Sequence, residues 1–422
     1  MFELKLKFFA LIITAFSVAK ACHLNVDHPI PLFSKNFGSK NLTFRAKPSG
    51  VELSENESIE VYCMSGIMYK RYNGYIGNNG AVIQKKALLQ CENGYIYVNR
   101  GQYGNMNGDE LTVYCSSSFS SNLYESKSTL ANCDNFMSYA IGEHIPLVGT
   151  AIKAGICYDL ERFELKYANY IAYQRNDFWI SSEPNLSHEL GVDLGIQIGN
   201  LKNYFDFMSQ LGFNVSRDMM RSDSNQFFNA FEFDYDSILQ DDYFHNQLGD
   251  FAYIFNTMWW RQLRQNNWRY FLGALKERTY SEKYIIFVGT HGNATMPPKE
   301  NTDGKPEELT VRSPNLAVTA PKYIWAYVKP VIPNNEEEFV VIATNSPYIE
   351  TPDHKEFCKQ DICDDIAWLK KSRFGQLRRI PTFGYTFCCP VEEVAKIIEH
   401  FPVSTEGLEA ITAAVPLLPS PA

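Results

Sequence analysis

A chain of 422 residues, 45% hydrophobic and 21% charged, can bury a large core, which excludes a disordered or low-complexity protein. Its formal net charge of −9 excludes whole-molecule attraction to polyanions, so any such site has to be a local basic patch. The length suggests two domains or one large one.

Residues 1–21 read as a secretory signal: Lys5 and Lys7, the apolar run Phe8 to Phe16, then Ala19-Lys20-Ala21 as a small-x-small cleavage site. Cleavage after Ala21 takes away three lysines and one glutamate, leaving 36 basic and 47 acidic residues and a net charge of −11. The apolar run is shorter than the roughly 20 residues that cross a bilayer. The expectation is therefore a secreted, extracellular protein with no membrane partner. Sequons at Asn41, Asn56, Asn185, Asn214 and Asn293 are expected glycosylation sites in that compartment.

From Cys22 to residue 158, short apolar-aromatic runs alternate with turn clusters, as in Ile59 to Cys63, Tyr95 to Val98 and Leu111 to Cys115, which predicts a β-rich N-terminal region. From 159 to 422 the segments lengthen. Helical spacing at Leu201 to Leu211, Trp259 to Arg278 and Val391 to His400 mixes with predicted strands at Tyr284 to Val288, Tyr323 to Val328 and Phe339 to Ala343. This is an α+β pattern, with a loop over Pro297 to Pro306.

The ten cysteines fall into two even groups, six up to Cys157 and four after it: Cys358, Cys363, Cys388 and Cys389. Adjacent cysteines rarely bridge each other, so Cys388 and Cys389 are each expected to pair with Cys358 or Cys363, in either of two connectivities. A four-cysteine zinc site is disfavoured, because adjacent ligands fit a tetrahedron poorly and the compartment is oxidising.

Gly-x-Ser-x-Gly, His-Glu-x-x-His and phosphate-loop patterns are all absent from the sequence. Asp234, Asp236, Asp241 and Asp242 lack the glycine and closing glutamate of a calcium loop and read as a solvated acidic edge. His291, in Gly289-Thr290-His291-Gly292-Asn293, reads as a turn residue, and the other seven histidines have no partner at ligand spacing. Basic and aromatic residues interleave in two stretches: Trp259 to Tyr270, with Arg261, Arg264, Trp268 and Arg269, and Lys370 to Arg379, which holds five basic residues and no acid. Arginines neutralise phosphates and indole faces stack on bases, so the first stretch is a candidate nucleic-acid surface, against the plainer reading of an amphipathic helix with core tryptophans.

Several linked segments resemble the DNA/RNA non-specific endonucleases, the ββα-metal nucleases, in their secreted insect form. Phe213 to Met220 stands where that family has Arg-Gly-His-Leu, and Phe251 to Asn256 where it has a strand ending in Asn. Trp268 matches the tryptophan after the metal-binding asparagine. Tyr284 to Gly289, Pro321 to Trp325, Asn345-Ser346-Pro347, the Cys358 and Cys363 pair, and Gly384 to Cys389 continue the likeness. The resemblance implies a domain with a central antiparallel sheet and flanking helices, preceded by the β-rich region.

In that family the histidine activates water and the asparagine holds one divalent cation. Here the triplet reads Arg217-Asp218-Met219, and a thioether takes no proton at neutral pH and binds Mg²⁺ poorly. The metal asparagine position falls on Arg264, with Asn266 available only if the register slips, and Leu272 replaces a glutamate. The resemblance thus implies a pseudoenzyme that binds DNA and RNA, single- or double-stranded, without sequence preference, through Arg217, Arg261, Arg264, Trp268 and Arg269. No cofactor is required; Mg²⁺ enters only under the alternative of a weak nuclease. A secreted protein- or glycan-binding module is the further alternative, which a glycan at Asn214 beside Arg217 would favour.

Overall fold

In the computed structural model the described residues are 21–37, 40–46, 49–71, 74–76, 84–99, 106–107, 111–117, 121–145, 149–162, 164–172, 190–198, 232–241, 251, 254–296, 306–313, 316–332, 338–348 and 353–403. Arg217, Asp218, Met219, Asn185, Asn214 and Leu201 to Leu211 lie outside them, as do residues 1–20 and most of the Pro297 to Pro306 segment. The chain divides into two compact units, the first built on residues 1–120 and the second on most of the residues from Ser121 onward. The expected boundary at 158/159 falls within the hairpin Gly149–Asp159/Glu164–Ala172 of the second unit.

The first unit is a pair of sheets. One has five strands, centred on Cys22–Val26 and Leu111–Cys115, and the other has six, centred on Lys86–Glu92 and Ser58–Tyr62. Along the strands Leu111–Cys115 and Lys86–Glu92 burial alternates strictly, residue by residue. Leu24, Leu111 and Val113 of one sheet share a core with Ile59, Val61 and Leu89 of the other. Disulfides Cys22–Cys91 and Cys63–Cys115 tie the two sheets across that core.

A nine-stranded sheet organises the second unit, in the order Leu194–Gln197, Ser121–Ser126, Met137–Ile145, Gly149–Asp159, Glu164–Ala172, Tyr284–Asn293, Pro321–Pro330, Phe339–Thr344 and Thr386–Pro390. Its central strands are buried on both faces. Ile324, Ala326 and Val328 enter one core cluster while the alternate residues Tyr323, Trp325 and Tyr327 enter another, and Val341 and Val340 divide the same way. Double burial explains why Phe339–Thr344 reads as an unbroken apolar run, with no solvent face to alternate against. Burying each such Val, Ile or Phe contributes about 1.5–3 kcal/mol.

The expected α+β architecture, a ββα-metal fold with flanking helices, is corrected by this arrangement: the protein is mostly β. Among the described residues one helix exceeds five residues, Arg269–Arg278, extended backwards by a π-helical turn, Arg264–Trp268, and by Arg261–Leu263. The helix predicted over Val391 to His400 ends after Val394. Trp259 and Trp260, expected at the start of a helix, end the strand Asn256–Trp260. Their β propensity and the partner strand Phe233–Ser237 decide the matter against helical spacing.

All ten cysteines are bridged. Cys133 pairs with Cys157, Cys358 with Cys389 and Cys363 with Cys388, which selects one of the two connectivities open in the sequence. No helix among the described residues is long and apolar enough to cross a membrane.

Candidate functional site

The basic stretch from residue 261 begins where Asn345, fully buried, bolts a hairpin to the sheet. Its Oδ1 accepts from Trp260 N at 2.7 Å, and its Nδ2 donates to Met258 O at 2.8 Å and to Pro321 O at 3.0 Å. The helix starting at Arg261 is thereby fixed in direction, and Trp268 turns inward. That indole is 2% exposed, packed 5.4 Å from Trp259 and 5.6 Å from Phe271 between ring centroids. Trp268 is thus core, the plainer of the two readings weighed for it, and is closed to a nucleic-acid base.

Arg261 and Arg264 are engaged by the carboxylates that read as a solvated edge. Asp234 and Asp236 alternate on Phe233–Ser237 and so share one face of the strand. Arg264 Nη2 lies 2.5 Å from Asp234 Oδ2 and its Nη1 lies 2.6 Å from Asp236 Oδ2; Arg261 Nε donates to Asp234 Oδ1 at 2.9 Å and its Nη2 bonds the same oxygen. Burial works to raise the Asp234 pKa, but hydrogen bonds from both arginines outweigh it and hold the carboxyl below its ordinary value. The signal in the sequence was the match between an i,i+2 acid pair on a strand and an i,i+3 arginine pair on a helix.

Asn266 is half-buried, its Nδ2 donating to Gln262 O at 2.9 Å and its Oδ1 accepting from Tyr270 OH at 3.3 Å. Leu272 packs at the edge of the core. The fully buried Asn267 does what neither neighbour does: its Nδ2 donates to Arg378 O at 3.2 Å and Gly384 O at 2.6 Å, tying the π-helical turn to the second basic stretch. Gly384 is required there, since at φ +84° a Cβ would stand 2.6 Å from Leu263 Cδ1.

Asp361 and Asp364, which precede the second stretch, engage part of it. Arg378, 1% exposed, binds Asp361 and donates from Nη2 to Asp364 Oδ1 at 3.0 Å. Arg379 is exposed, with Nη2 at 2.7 Å from Asp364 Oδ2. Lys370, Lys371 and Arg373 lie exposed on the short helices Ala367–Lys371 and Arg373–Leu377. Both helices pack on Arg269–Arg278, and the Arg373 guanidinium carbon sits 4.3 Å from the Tyr270 ring centroid, a cation–π contact. Arg269, next to Tyr270, is exposed. No acid occurs from residue 254 to 276 or from 366 to 391, so these two acid-free stretches meet in space.

His291 lies within the strand Tyr284–Asn293, opposite Tyr323, rather than in a turn. Burial lowers its pKa below the ordinary histidine value. Nearby, Glu356 accepts from Lys322 Nζ at 2.8 Å and Tyr323 OH at 2.6 Å. Of the sequons, Asn56 and Asn293 are exposed and Asn41 stands on the strand Lys40–Arg45. Among the described residues one His/Cys/Asp/Glu group lies close enough to ligate a metal, Asp361 with Cys363 and Cys388. Its sulfurs are joined in a disulfide and its carboxylate is bound to Arg378, so it does not fit a metal.

No family model matches the chain. Over 124 residues the chain is 28% identical to the salivary protein Tsal1 of Glossina morsitans morsitans, a span covering 29% of this chain and 28% of that protein. A solved structure described as the EndoG/EndoGI complex aligns over 47% of this chain and 75% of its own, at 12% identity and a TM-score of 0.27, too slight a likeness to assign a fold. The chain is therefore similar, over less than a third of its length, to a salivary protein, and its five disulfides fit a secreted, extracellular protein.

Proposed function

We propose that this is a secreted protein that binds DNA and RNA through their phosphates, without sequence preference and without turnover. The observation that carries the reading is the meeting of the two acid-free stretches at the Tyr270–Arg373 contact, which sets exposed Arg269, Lys370, Lys371 and Arg373 on one helical layer of a protein that is otherwise acidic. Such a patch supplies sequence-independent charge, since phosphate contacts position a nucleic acid but do not read it. Partial similarity to a salivary protein supports delivery outside the cell, where free nucleic acid is a partner.

Within the stretch first considered, Arg261 and Arg264 are already neutralised and Trp268 is buried, so the binding role passes to Arg269 and the residues of 370–373. Arg217 remains a proposed member on the strength of its motif.

A salt titration tests this. With about four phosphates contacted, log K on B-DNA falls with log salt at a slope of about −3.6, and Lys370→Ala, Lys371→Ala and Arg373→Ala each reduce the slope by about 0.9. Absence of binding at ~50 mM salt, or a slope that none of these variants changes, overturns the proposal.

A further inference from the structure

The helix over residues 261–278 presents one outward stripe. Gln262, Gln265, Arg269, Gly273, Lys276 and Tyr280 are all exposed, at spacings of three, four, four, three and four residues. The stripe is not uniform: amide and guanidinium groups come first, a bare position in the middle, and an aromatic ring at the end. A Cβ placed on Gly273 would meet no atom within 4 Å, so the centre of the stripe is open backbone. Tyr280, just past the helix, is 68% exposed, one of few large apolar side chains left in water among the described residues. Glu277 is exposed beside it.

This order of groups has a chemical consequence. Phosphates are drawn to Arg269, whereas at the Tyr280 end the carboxylate of Glu277 offsets the neighbouring Lys276. A neutral, flat group is what the exposed ring can hold there. We infer that Tyr280 is a stacking platform for an unpaired base and that the stripe tracks single-stranded nucleic acid, Arg269 holding the phosphate backbone. The inference rests on the nucleic-acid reading and narrows it to a substrate class. In a duplex the base faces are already stacked on each other and cannot reach the ring, while in a single strand every base offers a face.

The full-length secreted protein is titrated with a labelled oligothymidine single strand and with a duplex of equal length, both at ~100 mM salt. Tyr280→Ala weakens single-strand binding by about 5- to 150-fold, the range of one lost base–aromatic stack, and changes duplex binding less than about twofold. Tyr280→Phe stays within about twofold of the parent on both, because the ring remains. Arg269→Ala weakens both. An unchanged Tyr280→Ala, or an equal loss on the two forms, overturns the stacking assignment and leaves the phosphate-binding reading standing. Failure of the parent protein to bind either form overturns both.

Discussion

Arg264 donates to Asp234 at 2.5 Å from a helix that a π-helical turn widens, and the pair joins the hairpin Phe233–Ser237/Asn256–Trp260 to that helix. A cation so engaged is a structural tie rather than a phosphate anchor. Both side chains are largely buried, which sets the pair between a surface bridge of about 0–1 kcal/mol and a fully buried one whose breakage costs about 3–5 kcal/mol. Arg264→Ala is accordingly expected to lower stability by about 1–3 kcal/mol in urea unfolding and to leave nucleic-acid affinity within about twofold. A large loss of affinity without loss of stability would return Arg264 to the binding surface.

Acid sensitivity arises from the same carboxylates. Hydrogen bonds from Arg378 hold Asp364 below its ordinary value, and Asp234 is held down by Arg261 and Arg264 against the opposing effect of burial. A folded pKa below the unfolded one means that the unfolded chain binds more protons. This stability is present above the unfolded value of about 3.9 and is lost as pH falls through the folded values. Asp234→Asn is expected to flatten the acid limb of a stability-versus-pH curve below about pH 4.

His291 acts in a higher window. Burial disfavours its charged form, so its folded pKa lies below the 6.5 of the free side chain. Between the two values the unfolded chain holds the extra proton and stability falls with acidification, beginning near pH 6.5. His291→Gln should remove this slope; thermal melts at pH 7 and 5.5 compare the two proteins.

The late disulfides hold the second basic stretch. Cys363–Cys388 closes a loop of 25 residues in separation, which contains both short helices and Arg378, and Asp361 accepts from Cys363 N at 3.1 Å and Cys388 N at 3.2 Å while binding Arg378. Replacing both cysteines by serine is expected to cost about 3.5 kcal/mol on the loop-entropy scale. Peptide mapping without reductant should recover Cys363 joined to Cys388 and Cys358 to Cys389. Recovery of the crossed pairs would refute the connectivity.

Much of the sheet was legible in the sequence because strands announce themselves locally. Tyr284 to Val288, Tyr323 to Val328 and Phe339 to Ala343 were expected as strands, and the even cysteine groups pointed to two separately stapled regions. What escaped was whatever depends on partners far along the chain. The strand Glu164–Ala172 pairs with Tyr284–Asn293 across more than 110 residues, and this closes the nine-stranded sheet that displaces the expected flanking helices. Asp234 and Asp236 looked solvated because their arginines lie some 25 to 30 residues on. Trp268 looked available for stacking because its packing partner Trp259 belongs to a strand that helical spacing conceals. The interleaving of bases with aromatics singled out one helix, and on it the exposed Arg269 and Tyr280 are separated from the ion-paired Arg264 and the buried Trp268 only by what packs against them.

One alternative, a weak Mg²⁺-dependent nuclease, depends on Asn266 as the cation's ligand. In the structure its amide nitrogen is turned to Gln262 O and its oxygen accepts from Tyr270. Freeing that oxygen means breaking a hydrogen bond on a half-buried turn, at a cost of about 1 kcal/mol before any ion binds. Asn266→Asp offers a charged ligand in the same place and is the sharper test than alanine. Under the binding reading, plasmid nicking by the parent, Asn266→Asp and Asn266→Ala proteins stays at the level of a mock preparation, with Mg²⁺ or with chelator. Nicking that appears with Mg²⁺, rises in Asn266→Asp and disappears in Asn266→Ala would instead make this position a metal ligand and the protein an enzyme.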